Sequence, residues 1–139
     1  MRFTPSRIPG AWVIDIEPIH DHRGFFAMTW LPEEFRKRGI EPALAQCNLA
    51  FNHKRGTLRG MHFQHAPHAQ AKIVRATRGA LLDVIVDLRP DSPTYLKWLG
   101  VELTAESRRA GSRITVAATP YGRLATTFVG AGSSAARSR

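Results

Sequence analysis

The stretch ALLDVIVDL, residues 80–88, decides the fold of this chain. Side chains alternate across an extended backbone, so the stretch has one wholly apolar side and one side that carries two aspartates. The apolar side consists of Leu82, Val84, Val86 and Leu88. The other side consists of Asp83, Ile85 and Asp87. This alternation predicts a β-strand.

Similar stretches recur along the chain, and their spacing of about 8–12 residues is typical of a β-sandwich or jelly roll. The other predicted strands are AWVIDI (11–16), FFAMTW (25–30), LAQCNLAF (44–51), TLRGMHFQ (57–64), KIVRAT (72–77) and YLKWLGVEL (95–103). Turns such as HDHRG (20–24) and RPDSPT (89–94) separate them. A short helix is predicted over 32–38, because Pro32 suits a first helical position and Gly39 suits a stop.

Length and composition fit one globular domain of 139 residues, with 43% apolar and 22% charged residues. No apolar run is long enough to predict a transmembrane helix, and the first residues do not predict a secretory signal. Cys47 is the only cysteine, so an internal disulfide is excluded and a cytoplasmic location is predicted. We expect Cys47 to pack against other residues rather than to act as a nucleophile.

The net charge of +9 raises the question of a polyanionic partner. Four arginines lie after residue 109 without an acidic residue: Arg113, Arg123, Arg137 and Arg139. Elsewhere basic and acidic residues are mixed, and no aromatic pattern typical of RNA-binding proteins interleaves them. The charge therefore favours small anionic ligands, and we predict neither a nucleic-acid nor a membrane partner.

The stretch GTLRGMHFQ, residues 56–64, places Arg59 and His62 on a predicted strand. Strict alternation would put them on opposite faces. Gly60 lies between them, and a glycine inside a strand often marks a bulge that re-aims a neighbouring side chain. An arginine inside a β-barrel needs an anion or an acid as partner, so Arg59 is a candidate binding residue.

Three histidines at intervals of three residues, namely His62, His65 and His68, suggest a metal site. A metal-binding cupin would add a glutamate shortly after the first histidines and a later histidine on a second strand. Position 64 is a glutamine, and no histidine follows His68. The ligands are too few for a first-row metal, so we predict no metal and disfavour a metal-dependent cupin oxygenase.

Five segments together resemble the dTDP-4-dehydrorhamnose 3,5-epimerase family, which are sugar-nucleotide epimerases of the cupin superfamily. These segments occur in the family's order and cover most of residues 8–109. They are HDHRGFF (20–26), QCN (46–48), GTLRGMHFQ (56–64), PHAQAKIVRATRGALLDVIVDLRPDSPTY (67–95) and KWLGVELTAESRR (97–109). The resemblance implies a cupin-type jelly roll (a double-stranded β-helix), incomplete at its C-terminal end.

The resemblance also implies a catalytic pair. His62 matches the general base that removes a proton next to the C4 ketone of the sugar, a task suited to a group with a pKa near neutrality. Lys72 matches the cation that contacts the substrate and stabilises the enolate oxygen.

Other matching positions imply substrate binding. Arg23 and Arg59 match residues that hold the phosphates and sugar, for which a guanidinium is the natural partner. Gln46 and Asn48 match polar residues that line the same pocket. Asp83 is expected to support the site rather than to react. Met28 and Cys47 stand where the family often has acidic residues, which leaves the exact sugar open.

The sequence departs from the family after Arg109. The family continues with a histidine-bearing glycine turn, a tyrosine that acts as general acid and an aspartate that pairs with the base. Tyr121 does not match the motif of that tyrosine. We therefore divide the chain into an epimerase-like cupin domain (1–109) and a divergent tail (110–139), which offers weak strands at RITVAAT (113–119) and LATTFV (124–129) and an end predicted to be disordered.

The composition of the tail, rich in small residues and arginine, suggests a hypothesis about its origin. We hypothesise that the reading frame shifts near residue 110. Another frame of the underlying DNA would then encode the glycine turn and the tyrosine.

These observations predict an isomerase that inverts C3, C5 or both in a dTDP-linked 4-keto-6-deoxyhexose, as in deoxysugar, rhamnose and polysaccharide biosynthesis. No cofactor is predicted, because the ketone of the substrate supplies the acidity. The alternative is a truncated, inactive cupin that still binds a sugar nucleotide. The resemblance further implies a homodimer in which N-terminal strands cross between subunits.

Overall fold

The computed structural model describes residues 1–65, 67–105, 113–117 and 124–131. This part of the chain contains ten strands and one helix. They are β1 (Arg2–Pro5), β2 (Ala11–Asp15), β3 (Ile19–Asp21), β4 (Gly24–Phe26), α1 (Pro32–Arg36), β5 (Thr57–His62), β6 (Lys72–Arg75), β7 (Ala80–Asp87), β8 (Trp98–Thr104), β9 (Arg113–Ala117) and β10 (Leu124–Ala131).

The strands form two four-stranded sheets and one separate hairpin, all with antiparallel pairing. The first sheet has the order β1-β2-β9-β6, the second has the order β5-β10-β7-β8, and β3 pairs only with β4. From β5 onward the chain crosses between the two sheets at every step except the β7–β8 hairpin. This alternation is the winding of a jelly roll and confirms the predicted all-β class.

The inner faces of the two sheets pack against each other. Ile8 and Ala11, at the start of β2, lie against Ile85 of β7 in the other sheet. A second cluster joins Val13 and Val74 of the first sheet to three residues of the second, namely Leu99, Val101 and Leu103. The core is therefore the space between the sheets, and a side chain that faces inward from either sheet meets the other.

The helix α1 confirms the predicted helix, two residues shorter than expected. Pro32 begins it, and Gly39 follows its end with a φ of 70°, a left-handed conformation that favours glycine. Phe35 is fully buried against Ile14, Ile16 and Ile40. None of the described helices is long and apolar enough to cross a membrane.

Strand β7 shows the predicted alternation, and its charged side is the inward one. Asp83 and Asp87 are both 0% exposed and Ile85 is 1% exposed, whereas Leu82 is 42% exposed. Carboxylates are buried only when other groups satisfy them. Asp87 accepts five hydrogen bonds of 2.5–3.1 Å, from the backbone and guanidinium of Arg89 and from the hydroxyls of Ser92 and Thr94. This network fixes the turn that follows the strand.

Two predicted strands differ in the structure. LAQCNLAF (44–51) forms no strand, since Leu44, Leu49 and Phe51 are all exposed and no neighbouring strand covers them in the described part of the chain. Only the start of FFAMTW belongs to a strand, β4. Conversely β1 was not predicted, because four residues ending in a proline give little strand signal.

The two weak strands expected in the tail are confirmed as β9 and β10, and both occupy central positions in their sheets. Residues 130–131 of the end that was expected to be disordered belong to β10. The rest of that end, 132–139, lies outside the described residues, as does Tyr121.

The substitution Asp87→Asn is expected to lower the free energy of unfolding by about 3 to 5 kcal/mol, because it leaves the donors of Arg89, Ser92 and Thr94 around a neutral amide. Burial raises the pKa of Asp87, but the hydrogen bonds from these three residues outweigh burial and hold the pKa well below its usual range. The carboxylate therefore stabilises the fold above the pKa of an unfolded aspartate, about 4, and this contribution is lost as the pH falls toward the folded value.

Urea unfolding at several pH values measures both effects. The matched control is Asp91→Asn, an exposed residue of the same turn, which should change stability by less than about 0.5 kcal/mol. Equal stability of the two variants at neutral pH would contradict the role given to Asp87.

Candidate functional site

Arg59 and His62 lie on the same face of β5 because this strand contains one extra residue. Opposite β10, Arg59 pairs with position 128 and His62 with position 126, so three steps along β5 match two steps along β10. On the far side of β10, the same two positions pair with Asp83 and Ile85 of β7. Directly paired residues project to the same face of a sheet, so Arg59 and His62 share the inward face of Asp83 and Ile85.

Gly60 supplies the backbone conformation of this irregularity. Its φ of 131° lies in a region that L-residues with a side chain rarely adopt. The glycine therefore lets β5 accommodate the extra residue between Arg59 and His62. This is the re-aiming of Arg59 that the sequence predicted.

Lys72 approaches the same space from the other sheet. In β6, Lys72 and Val74 are partly buried, whereas Ile73 and Arg75 are exposed, so Lys72 points inward. Its Nζ donates a hydrogen bond of 3.0 Å to the backbone carbonyl oxygen of His62. The structure therefore brings Lys72 to the backbone of His62, and Arg59 lies on the same face of β5 as His62.

The electrostatics of Lys72 reflect its position between the sheets. Burial lowers the pKa of Lys72, and the negative charge of buried Asp83 opposes this by raising it. The net pKa is below the usual value for lysine. The ammonium of Lys72 is thus partly removed from water, and the carboxylate of Asp83 faces it from the other sheet.

The guanidinium of Arg59 is oriented by the long segment before β5. Its Nε donates to Oδ1 of Asn52 at 2.7 Å, and one terminal nitrogen donates to the carbonyl oxygen of Phe51 at 3.1 Å. The sequence analysis did not single out Asn52. Its only signal was its place in the turn-forming stretch NHKRG that precedes the strand.

Arg23 lies on neither of the strands that carry these residues. It lies in the turn of the β3–β4 hairpin, which pairs with neither four-stranded sheet, and its side chain is highly exposed. Its guanidinium donates to Oδ2 of Asp21 at 2.7 and 3.2 Å, and these bonds hold the pKa of Asp21 below its usual range. The sequence analysis missed Asp21, although the spacing Asp-x-Arg in a tight turn predicts such a pair.

The remaining predicted binding residues lie on the segment between α1 and β5. Gln46 and Asn48 are exposed there, and no described contact joins either side chain to Arg59, His62 or Lys72. Cys47 between them is also exposed, so the packing role expected for it is wrong. The reason is the same as for the missing strand, since no described strand pairs with this segment to bury its side chains.

The histidines that suggested a metal do not converge. The connection from β5 to β6 carries His65 and His68, both exposed and linked by a backbone hydrogen bond of 2.9 Å. Across the described residues, no three side chains of the types His, Cys, Asp and Glu lie close enough to hold an ion together.

A separate cleft of about 660 Å³ lies along the edge strand β8 and contains none of the predicted site residues. Its walls are mostly apolar, and the guanidinium of Arg7 there donates to the carbonyl oxygen of Trp98 at 2.6 Å. The cleft lacks a titratable pair that could transfer protons. The inward group on β5 and β6 is therefore the better candidate for chemistry.

Comparison with known proteins identifies the family to which the chain belongs. Residues 5–111 match the sequence model of the family described as dTDP-4-dehydrorhamnose 3,5-epimerase. The chain belongs to this epimerase family. The matched region contains β2 to β8 and every predicted site residue.

Individual members of the epimerase family show how far the similarity extends. The chain is 46% identical over 107 residues to the dTDP-4-dehydrorhamnose 3,5-epimerase of Sinorhizobium fredii, covering 77% of this chain and 55% of that protein. It is 45% identical over 111 residues to the dTDP-4-dehydrorhamnose 3-epimerase of Streptomyces niveus, covering 79% and 53%. The chain thus spans little more than half the length of these curated relatives.

A solved structure of the epimerase family confirms the fold. The crystal structure of the dTDP-4-dehydrorhamnose 3,5-epimerase of Bacillus anthracis, with TDP and PPi bound, superimposes with a TM-score of 0.82 at 31% identity. The superposition covers 92% of this chain and 69% of that one. The predicted cupin-type jelly roll is therefore confirmed.

The substitution Asp83→Asn is expected to lower the pKa of Lys72 further, because it removes the attraction that opposes burial. Titration of the Lys72 side chain by nuclear magnetic resonance measures the pKa directly. The control Glu102→Gln removes an exposed charge from β8 and should leave the pKa of Lys72 unchanged. If a folded Asp83→Asn variant kept or raised the pKa of Lys72, the electrostatic link between them would be wrong.

Proposed function

We propose that this chain epimerises C3, C5 or both in a dTDP-linked 4-keto-6-deoxyhexose, by removing a proton next to the C4 ketone. The observation that supports the proposal is the hydrogen bond from Nζ of Lys72 to the backbone carbonyl oxygen of His62, which links the strand of the proposed cation to the strand of the proposed base. Membership in the epimerase family supports the substrate class.

His62 is proposed as the general base. A proton next to a ketone is acidic because the carbanion left behind delocalises onto the ketone oxygen as an enolate. An imidazole is the side chain that most often carries out such a transfer. His62 is exposed, so a sugar can reach it from solvent.

Lys72 is proposed to stabilise the enolate oxygen. Its ammonium is partly buried, and a charge acts more strongly where water is excluded. The hydrogen bond to the carbonyl of His62 uses one of the three ammonium protons, so two others can point to the oxygen of the substrate. Base and cation would then act on adjacent atoms of the sugar.

Substrate binding is assigned to Arg23, Arg59, Gln46 and Asn48. Arg59 lies on the face of His62 and carries a guanidinium that suits a diphosphate. Gln46 and Asn48 lie on the segment whose end is tied to Arg59 through Phe51 and Asn52. The relative from Bacillus anthracis was solved with TDP and PPi, which fits a nucleotide diphosphate as ligand here.

The proposed reaction needs no cofactor, because the ketone of the substrate supplies the acidity. The number of inverted centres is a finer question. The relatives include a 3,5-epimerase and a 3-epimerase at nearly equal identity, so both outcomes fit the family.

The second candidate is a catalytically inactive protein that binds a sugar nucleotide. One observation favours it: the sequence after Arg109 lacks the motif of the family's acid tyrosine. A metal-dependent oxygenase finds no donor set among the described residues. The predicted cytoplasmic location and the absence of a nucleic-acid partner stay predictions.

A homodimer is also proposed. The β3–β4 hairpin stands apart from both large sheets, and its apolar side chains are highly exposed: Ile19 at 71%, Phe25 at 61% and Phe26 at 70%. Apolar side chains exposed together mark an interaction surface. A second copy of the chain would cover them.

The substitution His62→Ala is expected to abolish incorporation of solvent deuterium at C3 and C5 of a dTDP-4-keto-6-deoxyhexose, because it removes the base. Binding of dTDP should change by less than about tenfold, since the residues assigned to the phosphates remain. Mass spectrometry of the recovered sugar measures exchange, and calorimetry measures binding.

The matched control is His68→Ala, which removes an exposed histidine from the connection that follows β5. It should keep normal exchange. Retained exchange in His62→Ala would remove His62 from the proposed role. Tight binding of dTDP by the unmodified chain without any exchange would select the inactive alternative.

The substitution Phe26→Ser is expected to shift the protein from dimer to monomer in sedimentation equilibrium, since it removes an apolar side chain from the hairpin surface. The control Tyr95→Ser changes an aromatic residue that is 45% exposed outside the hairpin. It should leave the dimer intact. A monomeric unmodified chain, or a dimer unaffected by Phe26→Ser, would contradict the proposal.

A further inference from the structure

The strands that carry the proposed catalytic pair each have a single neighbour. Strand β5, which holds Arg59 and His62, pairs only with β10, and strand β6, which holds Lys72, pairs only with β9. These pairings are those of the described residues. Neither strand is tied directly to the strands that form the core of its sheet.

Both neighbours come from the part of the chain that departs from the epimerase family. The match to the family ends at residue 111, and β9 begins at Arg113. Each of the two strands is central and has a core strand on its other side: β9 lies between β6 and β2, and β10 lies between β5 and β7.

The register shows how directly the tail connects the site to the core. His62 pairs with position 126 of β10, which pairs with Ile85, and Ile85 is 1% exposed. In the other sheet, Lys72 pairs with position 117 of β9, which pairs with Ala11, and Ala11 is 2% exposed. One tail residue separates each proposed catalytic residue from a buried residue.

We infer that the two tail strands position the site. Pairing with β10 fixes where His62 lies relative to the core, and pairing with β9 fixes where Lys72 lies relative to the core. The contact between Nζ of Lys72 and the carbonyl of His62 joins strands of different sheets, so it requires both registers at once. A shift of either strand by one residue would turn the inward side chains of its neighbour outward. The divergent segment is thus part of the working site, although it supplies none of the proposed catalytic side chains.

The inference predicts a pattern of amide hydrogen exchange in the unmodified chain. As denaturant rises, the amides of β5 should open together with those of β10, and the amides of β6 together with those of β9. Strands β7 and β8 pair with each other directly and should stay protected longer. If β5 or β6 kept its protection after its tail strand had opened, the inference would be overturned.

Two proline variants test the connection strand by strand, because proline lacks the backbone N–H and is not accommodated inside a central strand. Thr126→Pro should speed amide exchange in β5 by about a hundredfold or more and leave β6 protected. Ala117→Pro should speed amide exchange in β6 to a similar extent and leave β5 protected. Each variant is therefore the control for the other. If both variants lost β5 and β6 equally while β7 and β8 stayed protected, separate positioning would be overturned.

The pKa of Lys72 is a second measurement, and general destabilisation would not change it differently in the two variants. In Ala117→Pro the pKa should rise toward the ordinary value, because Lys72 is no longer held between the sheets. In Thr126→Pro it should change less, since β6 stays docked. An unchanged pKa in Ala117→Pro would argue against the role of β9. The inference rests on the proposed function only for the catalytic roles of His62 and Lys72. Amide exchange reports how the strands dock even if the chain catalyses no reaction.

Discussion

The extra residue in β5 is the constraint on which the site depends. In a regular strand, Arg59 and His62 would project to opposite faces, and one of them would point away from the space between the sheets. The register against β10 removes this conflict, because three steps on one strand match two steps on the other. Gly60, with a φ of 131°, allows the backbone to do so. A local irregularity thus gives a guanidinium and an imidazole one common face, on which a substrate with a phosphate and an acidic proton can bind.

Lys72 is a cation that the fold holds partly buried between the two sheets. Burial favours the neutral amine and lowers the pKa of Lys72, whereas the negative charge of Asp83 favours the ammonium. Asp83 lies on the inward face of β7 and Lys72 on that of β6, so this balance exists only when the two sheets are packed. The same packing buries Asp87, whose five hydrogen bonds hold the turn after β7. Strand β7 therefore contributes to the core and to the surroundings of the proposed site. Asp87 holds the turn after the strand, and Asp83 acts on the charge of Lys72.

Alternation predicted β7 from the sequence, but it could not say which side faces inward, because a buried aspartate is acceptable only with partners such as Arg89, Ser92 and Thr94 that are fixed by the turn. The role of Gly60 was predictable, since glycine inside a strand has few other reasons to occur. The partners of Arg23 and Arg59 were not predicted, because Asp21 and Asn52 act through turn geometry rather than through a motif. The sequence also did not predict that β9 and β10 occupy central positions in their sheets. Pairing between strands distant in the chain depends on the sheet as a whole, and weak β-propensity does not reveal it.

The proposed site accounts for proton abstraction rather than for proton return. Abstraction requires a base and a cation near the developing oxyanion, and the residues proposed for these roles lie on β5 and β6. Inversion requires in addition a donor on the opposite face of the sugar, and the sequence after Arg109 does not reproduce the motif of the family's acid tyrosine. The two half-reactions are chemically separable, since a base alone can exchange a proton with solvent and return it to the same face. The active and the inactive hypotheses therefore share one binding surface. The active hypothesis requires in addition a proton donor on the other side of the enolate, whereas the inactive hypothesis requires neither proton abstraction nor proton return.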